Sequence, residues 1–195
     1  MKNLLLTLSI ALFIPGCSSL SVNTDYDSKI DFSQLKTYRW HAENTHNEAS
    51  KKYLTAITDQ RIRSAIERQL QAQNLIKSTT GKADFLVNYS IAVEDKTDIH
   101  TYNNYNGMYP GYGYRAGYGY YGGGMGMGYA SSETQVTHYQ QGTLIIDIIN
   151  PETDQLMWRG AADGRLPKHS NKSEKDALTQ KYVSKILLAF PPKEK

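Results

Sequence analysis

Residues 142–162 read GTLIIDIINPETDQLMWRGAA, and this stretch decides the fold. Large aliphatic residues occupy every second position from Leu144 to Ile148, which is the period of a half-buried β-strand. The run NPETD at 150–154 is turn-forming, because proline fixes φ and Asn and Asp side chains bond the nearby backbone. A second alternating segment, 155–162, then places Trp158 and Ala162 on one face. The stretch predicts an antiparallel hairpin with one face in the core.

Two charged residues lie on the other face of this hairpin. Asp147 and Arg159 can face each other across the two strands, so we expect a cross-strand ion pair that meets solvent or a partner. An active site built from Asp147, Arg159 and His138 is the alternative, and it requires a pocket in which acid and base groups converge. Trp158 is expected in the core and not as a platform for a ligand.

The rest of the chain predicts two helices. Apolar residues at helical spacing predict the first over Tyr53–Asn74, with Thr55 or Thr58 as its N-cap and a left-handed C-cap at its last residue. The segment Ser173–Asp176 resembles a capping box, so we expect the second helix to start there and to stop at Pro191.

Alternating segments predict further strands at 37–40, 83–94 and 132–139, with a bulge or bend at Gly142 and a polar loop over 164–172. The order of elements is then β-α-β-β-β-α. One parallel crossover and two hairpins give a mixed, mostly antiparallel sheet with both helices on one face. We therefore predict one α+β two-layer sandwich over residues 29–190, with a short tail at 191–195.

A tyrosine- and glycine-rich insert at 102–129 interrupts this domain, in the hairpin between the two middle strands. Glycine raises the cost of ordering, and the insert has no β-branched aliphatic residues with which to build a core. It is either a flexible hairpin tip or a surface that recognises a glycan, peptidoglycan or a protein. The run GYGYYG at 117–122 matches a dinucleotide-binding fingerprint, but no helical pattern follows it, so we reject that match. The tyrosines predicted for a binding surface are Tyr109, Tyr112, Tyr114, Tyr118, Tyr120 and Tyr121.

The N-terminus has the pattern of an export signal. Lys2 precedes an apolar run at 4–14, whose eleven residues would span roughly 16 Å as a helix, about half of a bilayer core. This length is typical of a signal peptide, which we place at 1–16. The segment Ile14–Cys17 resembles a bacterial lipobox, in which the peptide is cut before the cysteine and the cysteine is acylated.

We therefore predict cleavage between Gly16 and Cys17, a lipid on Cys17 and a polar tether over 17–28. Acylation removes an exposed thiol, and two or more acyl chains anchor a protein stably where one does not. By resemblance to known sorting behaviour, Ser18 points to the outer membrane. A plain secretory signal followed by an incidental cysteine is the alternative.

Composition and motifs exclude several chemistries. The net charge is only +3 over 195 residues and is evenly spread, so no nucleic-acid partner is expected. The single cysteine excludes an internal disulfide and a multi-cysteine metal site. Phosphate-loop, zinc-protease, nucleophile-elbow and C-x-x-C motifs are absent from the sequence, so we expect no catalytic residue and no cofactor. A metal site formed by His41, Glu43, His46 and Glu48 is weighed against a solvated polar loop, and the loop is preferred.

Four segments carry a family resemblance: Asp31–Ser33, Tyr38–Trp40, Ala83–Tyr89 and Gly142–Ala162. Through them the chain resembles a bacterial lipoprotein family known as domain of unknown function 4136. The resemblance covers about residues 28–190, and it implies an exported, lipid-anchored α/β domain with no agreed activity and no catalytic residues. The hairpin of 144–158 is also similar to that of periplasmic accessory lipoproteins that help to assemble envelope machines.

These features predict a lipid-anchored outer-membrane protein on the periplasmic face, acting as a non-enzymatic binding or assembly module. Its expected partners are the membrane, through the N-terminal lipid, and an envelope protein or a peptidoglycan or other glycan. An envelope hydrolase and an inert structural lipoprotein are the alternatives.

Overall fold

The computed structural model describes residues 20–42, 53–104 and 131–192. The signal peptide, Cys17, residues 43–48 and the six tyrosines predicted for a binding surface lie outside the described residues. The chain divides into two compact units. The sandwich unit comprises residues 1–94 and 140–195, and the ribbon unit comprises residues 95–139.

Over the described residues, the structure is a mixed α+β fold with one six-stranded, mostly antiparallel sheet and two helices. The strand order is β1-β6-β5-β4-β2-β3, with β1 and β5 antiparallel to β6 and with β2 parallel to β3 and β4. In chain order the elements are β1 (Ser21–Tyr26), a 3₁₀ turn (Phe32–Gln34), β2 (Thr37–Trp40), α1 (Ala56–Ala72), β3 (Ile76–Lys77), β4 (Phe85–Asn104), β5 (Ser131–Ile149), β6 (Leu156–Arg165) and α2 (Lys172–Leu187).

The core of the sandwich unit lies between the sheet and the two helices. Alternate residues of β4, β5 and β6 point into it, as the sequence pattern predicted, and Trp158 is fully buried there. The helices pack against each other, and both contribute to the same core. The largest fully buried side chains are Trp158, Tyr38, Tyr89, Phe85, Ile66, Leu70, Ile146, Ile148, Ile186, Leu187, Val87 and Val183.

Gly160 lets α2 approach β6 closely. A Cβ atom on this glycine would lie 2.5 Å from Ile186 Cγ2 and 2.9 Å from Trp158 Cζ2, and closer still to Trp158 Cη2. Both neighbours are fully buried, so neither can move aside easily. Any side chain at this position would overfill the core.

The predicted caps of the first helix are confirmed, although the helix runs from Ala56 to Ala72 and is shorter than the predicted Tyr53–Asn74. The Thr55 hydroxyl accepts a hydrogen bond from the Thr58 backbone N–H at 3.2 Å, so Thr55 is the N-cap. Asn74 has φ of 62°, and the Leu75 N–H donates to the Leu70 carbonyl at 3.0 Å. This is the left-handed C-cap that the sequence predicted.

The predicted start of the second helix is wrong by two residues. The capping box is formed by Asn171 and Glu174 and not by Ser173 and Asp176. Asn171 Oδ1 accepts from the Glu174 N–H at 3.0 Å, and Glu174 Oε2 accepts from the Asn171 N–H at 2.9 Å. Asn caps a helix as well as Ser does, and Glu is the usual partner that reaches back to the cap.

The expected tether over 17–28 is wrong for Ser21–Tyr26, which forms the edge strand β1. It pairs with β6 from Ser21 opposite Asp163 to Tyr26 opposite Trp158. Most of its side chains are exposed, so no alternation of apolar and polar residues marked it in the sequence.

The bulge or bend predicted at Gly142 is also wrong. Strand β5 runs without interruption through Gly142, which pairs with Gly164, and the one register shift between β5 and β6 lies at Ile148/Ile149. A Cβ on Gly142 would lie 2.8 Å from Leu166 Cδ2, so this glycine makes room for the Leu166 side chain. The loop predicted from 164 is shorter than expected, because β6 continues to Arg165.

The ribbon unit contains the distal parts of β4 and β5. Thr97 Oγ1 lies 3.0 Å from His138 Nδ1, and Thr101 Oγ1 lies 3.4 Å from Thr134 Oγ1, so hydroxyl and imidazole groups link the two strands. Ile99 and Val136 are more than half exposed on this unit.

Candidate binding site

An apolar cavity of about 260 Å³ lies in the sandwich unit and is open to its surface. Six parts of the chain form its walls: Tyr53 before α1, the first half of α1, the middle of β4, the middle of β5, the residue after β6 and the middle of α2. Its lining residues include Ile62, Ile91, Val93, Leu144, Leu166 and Leu178. A cavity with mostly apolar walls and few polar groups is typical of a small-molecule site.

The cavity forms at the point along β4 beyond which its inward-facing side chains are no longer fully buried. Phe85, Val87 and Tyr89 have no exposed surface, whereas Ile91 and Val93 point the same way along the strand and are only partly buried. Gly142 contributes no side chain to the opposite wall on β5. The helices therefore leave unfilled space over this end of the sheet.

Two threonines of the lining, Thr58 and Thr179, have hydrogen-bond partners in or next to their own helices. Thr179 Oγ1 donates to the Lys175 carbonyl at 2.9 Å, and Thr58 Oγ1 lies 3.0 Å from Thr55 Oγ1. The Tyr182 hydroxyl lies toward Gly164, since a Cβ on that glycine would be 2.7 Å from it. No charged side chain is among the described residues of the wall, so the wall offers contact area and little polar chemistry.

A polar network lies along α1, formed by Asp59, Arg63 and Glu67 with residues of the sheet. Asp59 accepts hydrogen bonds from the Tyr89 hydroxyl and from Arg63 Nε, the latter at 2.8 Å. The Arg63 guanidinium stacks over the Trp40 ring at 4.5 Å. Trp40 Nε1 donates to Glu67 Oε1 at 2.8 Å, and Lys77 pairs with the same carboxylate.

The pKa values of this network follow from burial and from its hydrogen bonds. Burial raises the pKa of Tyr89 well above its usual range, and the hydrogen bond to Asp59 raises it further. Burial and the charge of Glu67 raise the pKa of Tyr38 to about 12. Burial opposes ionisation of Glu67, but hydrogen bonds from Lys77 and Trp40 hold its pKa below the usual value. Both phenols are therefore neutral at physiological pH, and the network joins α1 to β2, β3 and β4.

The predicted ion pair between Asp147 and Arg159 is confirmed. The two residues are directly opposite on β5 and β6, and Arg159 donates through Nε at 2.7 Å and through Nη2 at 2.9 Å. The hydrogen bond to Asp147 raises the pKa of Arg159 above its ordinary value. The Asp147 side chain is only 9% exposed, so this carboxylate does not meet solvent as we expected. Neither residue lines the apolar cavity.

The histidines that we considered are engaged elsewhere. His41 Nε2 lies 2.8 Å from Asp154 Oδ1, whereas Glu43, His46 and Glu48 lie outside the described residues. His138 contacts Thr97 within the ribbon unit. Within 20–42, 53–104 and 131–192, no three His, Cys, Asp or Glu side chains come together in a way that suits a metal ion. No helix in these ranges is both long enough and apolar enough to cross a membrane.

Sequence reasoning missed the cavity and the polar network. The apolar residues Ile62, Ile91, Val93, Leu144 and Leu178, which line the cavity, were assigned to the core, because a period of two or of 3.6 residues shows which face is apolar and not whether the opposite layer fills the space above it. Leu166, which also lines the cavity, was assigned to a polar loop. A signal for the network was present in Asp59, Arg63 and Glu67, which follow one another at four-residue spacing along α1.

A family model described as "Domain of unknown function (DUF4136)" matches residues 22–192. No curated protein matches the sequence. Among solved structures, the chain is similar to a PDZ domain protein from Parabacteroides distasonis, with 18% identity and a TM-score of 0.46. The similarity covers 91% of this chain but only 37% of the PDZ domain protein. It is also similar to PelC from Paraburkholderia phytofirmans, crystallised as a dodecamer, with 8% identity and a TM-score of 0.46 over 90% of this chain and 100% of that one. Similarity at this level carries no argument about activity.

Proposed function

The chain belongs to the family of domain of unknown function 4136, and from this premise we propose that it is a lipid-anchored cell-envelope protein whose folded domain is a non-enzymatic binding module. The observation that carries the binding role is the apolar cavity of the sandwich unit. Its walls supply hydrophobic contact from both helices and from the sheet, which suits the holding of a ligand better than the transfer of protons or electrons.

The use of the carboxylates supports binding over catalysis. Asp59 and Glu67 hold α1 to the sheet, and Asp147 joins β5 to β6 through Arg159. Each of these carboxylates accepts hydrogen bonds from structural partners, and none lines the cavity. A general acid or base has to reach a bound substrate, and these groups do not.

The anchoring part of the proposal rests on the sequence before the described domain. The apolar run at 4–14 and the lipobox-like Ile14–Cys17 support removal of the signal peptide and acylation of Cys17. Ser18 supports sorting to the outer membrane, where the domain would face the periplasm. The tyrosine-rich insert at 102–129, with its predicted surface tyrosines, is the second region that we propose for contact with an envelope protein or a glycan.

One experiment tests both parts. Cells that express the protein with a peroxidase fused after Lys195 are fed an alkyne fatty acid, and Cys17→Ser is compared with Ser19→Ala as the matched control. We expect lipid labelling of the wild type and of Ser19→Ala, and none of Cys17→Ser. Labelling that persists in Cys17→Ser would contradict anchoring through this residue.

The peroxidase reports the neighbours of the tethered domain. We expect a set of biotinylated envelope proteins that an unrelated domain on the same signal and anchor does not label. An identical set from the two fusions would favour an inert structural lipoprotein over a binding module.

A further inference from the structure

We propose that the apolar cavity binds one acyl chain of a single-chain lipid, such as a fatty acid or a lysophospholipid, and leaves the head group in solvent. The inference deepens the proposed function and rests on it for the source of the lipid, which is the membrane that holds the anchor. The cavity and its chemistry do not depend on that anchor.

The size of the cavity suits one chain. Its volume is about 260 Å³, whereas an apolar cavity of about 150 Å³ holds a single benzene molecule. Drug-sized ligands occupy pockets of about 300–1,000 Å³, so this cavity lies just below that range. An alkyl chain of medium length therefore fits, whereas the buried volume does not suit a bulky ring system.

The chemistry of the walls excludes a strongly polar guest. Aliphatic side chains come from both helices and from both middle strands, and the hydroxyls of Thr58 and Thr179 already have partners in their own helices. The Tyr182 hydroxyl is buried without a partner among the described residues and can form a new hydrogen bond, but the described wall has no charged side chain, so a sugar or a charged group placed here would lose most of its hydration uncompensated. Each methylene transferred from water gains about 0.8 kcal/mol, which favours an alkyl chain.

The position of the cavity gives it access to a membrane lipid. Strand β1 starts beside the cavity end of the sheet. Its first residue, Ser21, pairs with Asp163 of β6. The next residue of β6, Gly164, pairs with Gly142, which lines the cavity. Leu20 also lies against this end, since its Cδ1 would be 3.0 Å from a Cβ on Gly164. Cys17 precedes Leu20 by three residues, which is at most about 10 Å of extended chain. The anchor would thus hold the cavity end of the domain close to the lipid surface.

The test uses the chain from residue 17 onward with Cys17→Ser, which carries no lipid of its own. The probe is radiolabelled laurate, whose binding is measured by equilibrium dialysis, and it is displaced by unlabelled laurate and by lauroyl-lysophosphatidylcholine. We expect saturable binding of one probe per chain and displacement by both competitors.

Three variants locate the binding. Val93→Trp fills the open part of the cavity and should weaken binding by about tenfold or more, since a loss of about 1.4 kcal/mol suffices for that. Ile57→Trp adds a large apolar side chain at an exposed position of α1 and should leave binding unchanged. Leu178→Ala enlarges the cavity and should shift the preferred fatty acid to a chain longer by about three carbons, the number of carbons removed.

The outcomes separate this inference from the anchoring proposal. Unsaturable binding, or equal affinity of Val93→Trp and Ile57→Trp, would overturn the inference even if Cys17 is acylated in cells. If Val93→Trp does not fold, as judged by circular dichroism, the chain-length shift of Leu178→Ala decides, and an unchanged preference overturns the inference. The expected results here would stand even if Cys17 proved unmodified.

Discussion

Gly160 provides a sharp test of how α2 packs on the sheet. In Gly160→Ala, the new methyl group would lie within 3 Å of Ile186 and of the Trp158 ring, both of which have no exposed surface. Gly142→Ala is the matched control, because the three atoms nearest to its methyl group would all belong to the flexible end of the partly exposed Leu166 side chain. Both glycines lie on central strands, and neither has a positive φ.

The magnitude follows from two opposing terms. Overpacking a rigid core costs about 1–3 kcal/mol, and two fully buried neighbours place Gly160→Ala at the upper end of that range. Replacing glycine by alanine also restricts the unfolded chain, which recovers about 0.4–1 kcal/mol. We expect Gly160→Ala to lower the free energy of unfolding by about 2 kcal/mol, and the melting temperature of a domain of this size by about 4–8 °C. Gly142→Ala should change the free energy by less than about 0.5 kcal/mol, because Leu166 can move.

Urea unfolding followed by far-UV circular dichroism measures both variants. A third comparison isolates the contact: in a Trp158→Phe background, which removes the ring atoms nearest Gly160, the alanine should cost less than it does in the wild type. Equal costs for the two glycines, or no coupling between Gly160 and Trp158, would refute the close approach of α2 to β6.

Two further predictions concern the polar groups. Arg159→Ala should lower the free energy of unfolding by about 1–2 kcal/mol in urea titrations at pH 7, because it leaves the nearly buried Asp147 carboxylate without its two donors. In an Asp147→Asn background, the loss caused by Arg159→Ala should be smaller. An equal loss in the two backgrounds would argue against direct coupling of the two residues. Tyr38 and Tyr89 have pKa values raised above the ordinary value of 10, that of Tyr38 to about 12. The stability that the two protonated phenols contribute is therefore fully present below pH 10. It is lost as the pH rises from 10 toward 12. Urea unfolding at pH 8 and pH 11 should show this loss, and Tyr38→Phe should reduce it; a pH dependence unchanged by the substitution would contradict the assignment.

Much of the central fold could be predicted because its local signals agree with its packing. The alternation in 142–162 forecast the hairpin, the burial of Trp158 and the pairing of Asp147 with Arg159, since register follows from the turn and from the apolar face. Asn74 predicted the left-handed C-cap of α1, because asparagine is one of the few residues other than glycine that adopt this conformation without strain. These features depend on residues that are close in sequence.

The missed features depend on long-range contacts. Strand β1 is polar and lies at an edge, so only its pairing with β6 makes it a strand. The second capping box was misplaced because two overlapping segments offered similar residues, and the better acceptors lay two positions earlier. The cavity arises from the fit between helices and sheet, which periodicity does not report. The network around Asp59 joins residues from four separate elements, and only the part within α1 was visible in the sequence.

The edge strand β1 has a mechanical consequence. Under the proposed anchoring, a pull on the membrane-bound N-terminus enters the domain directly through Ser21. A force along the strand loads the backbone bonds of all six residue pairs between β1 and β6 at once, in shear, instead of opening them one after another. The pairing of β1 with β6 would therefore resist tension along the strand. A partner that pulled perpendicular to the strand would separate β1 from β6 at a much lower force.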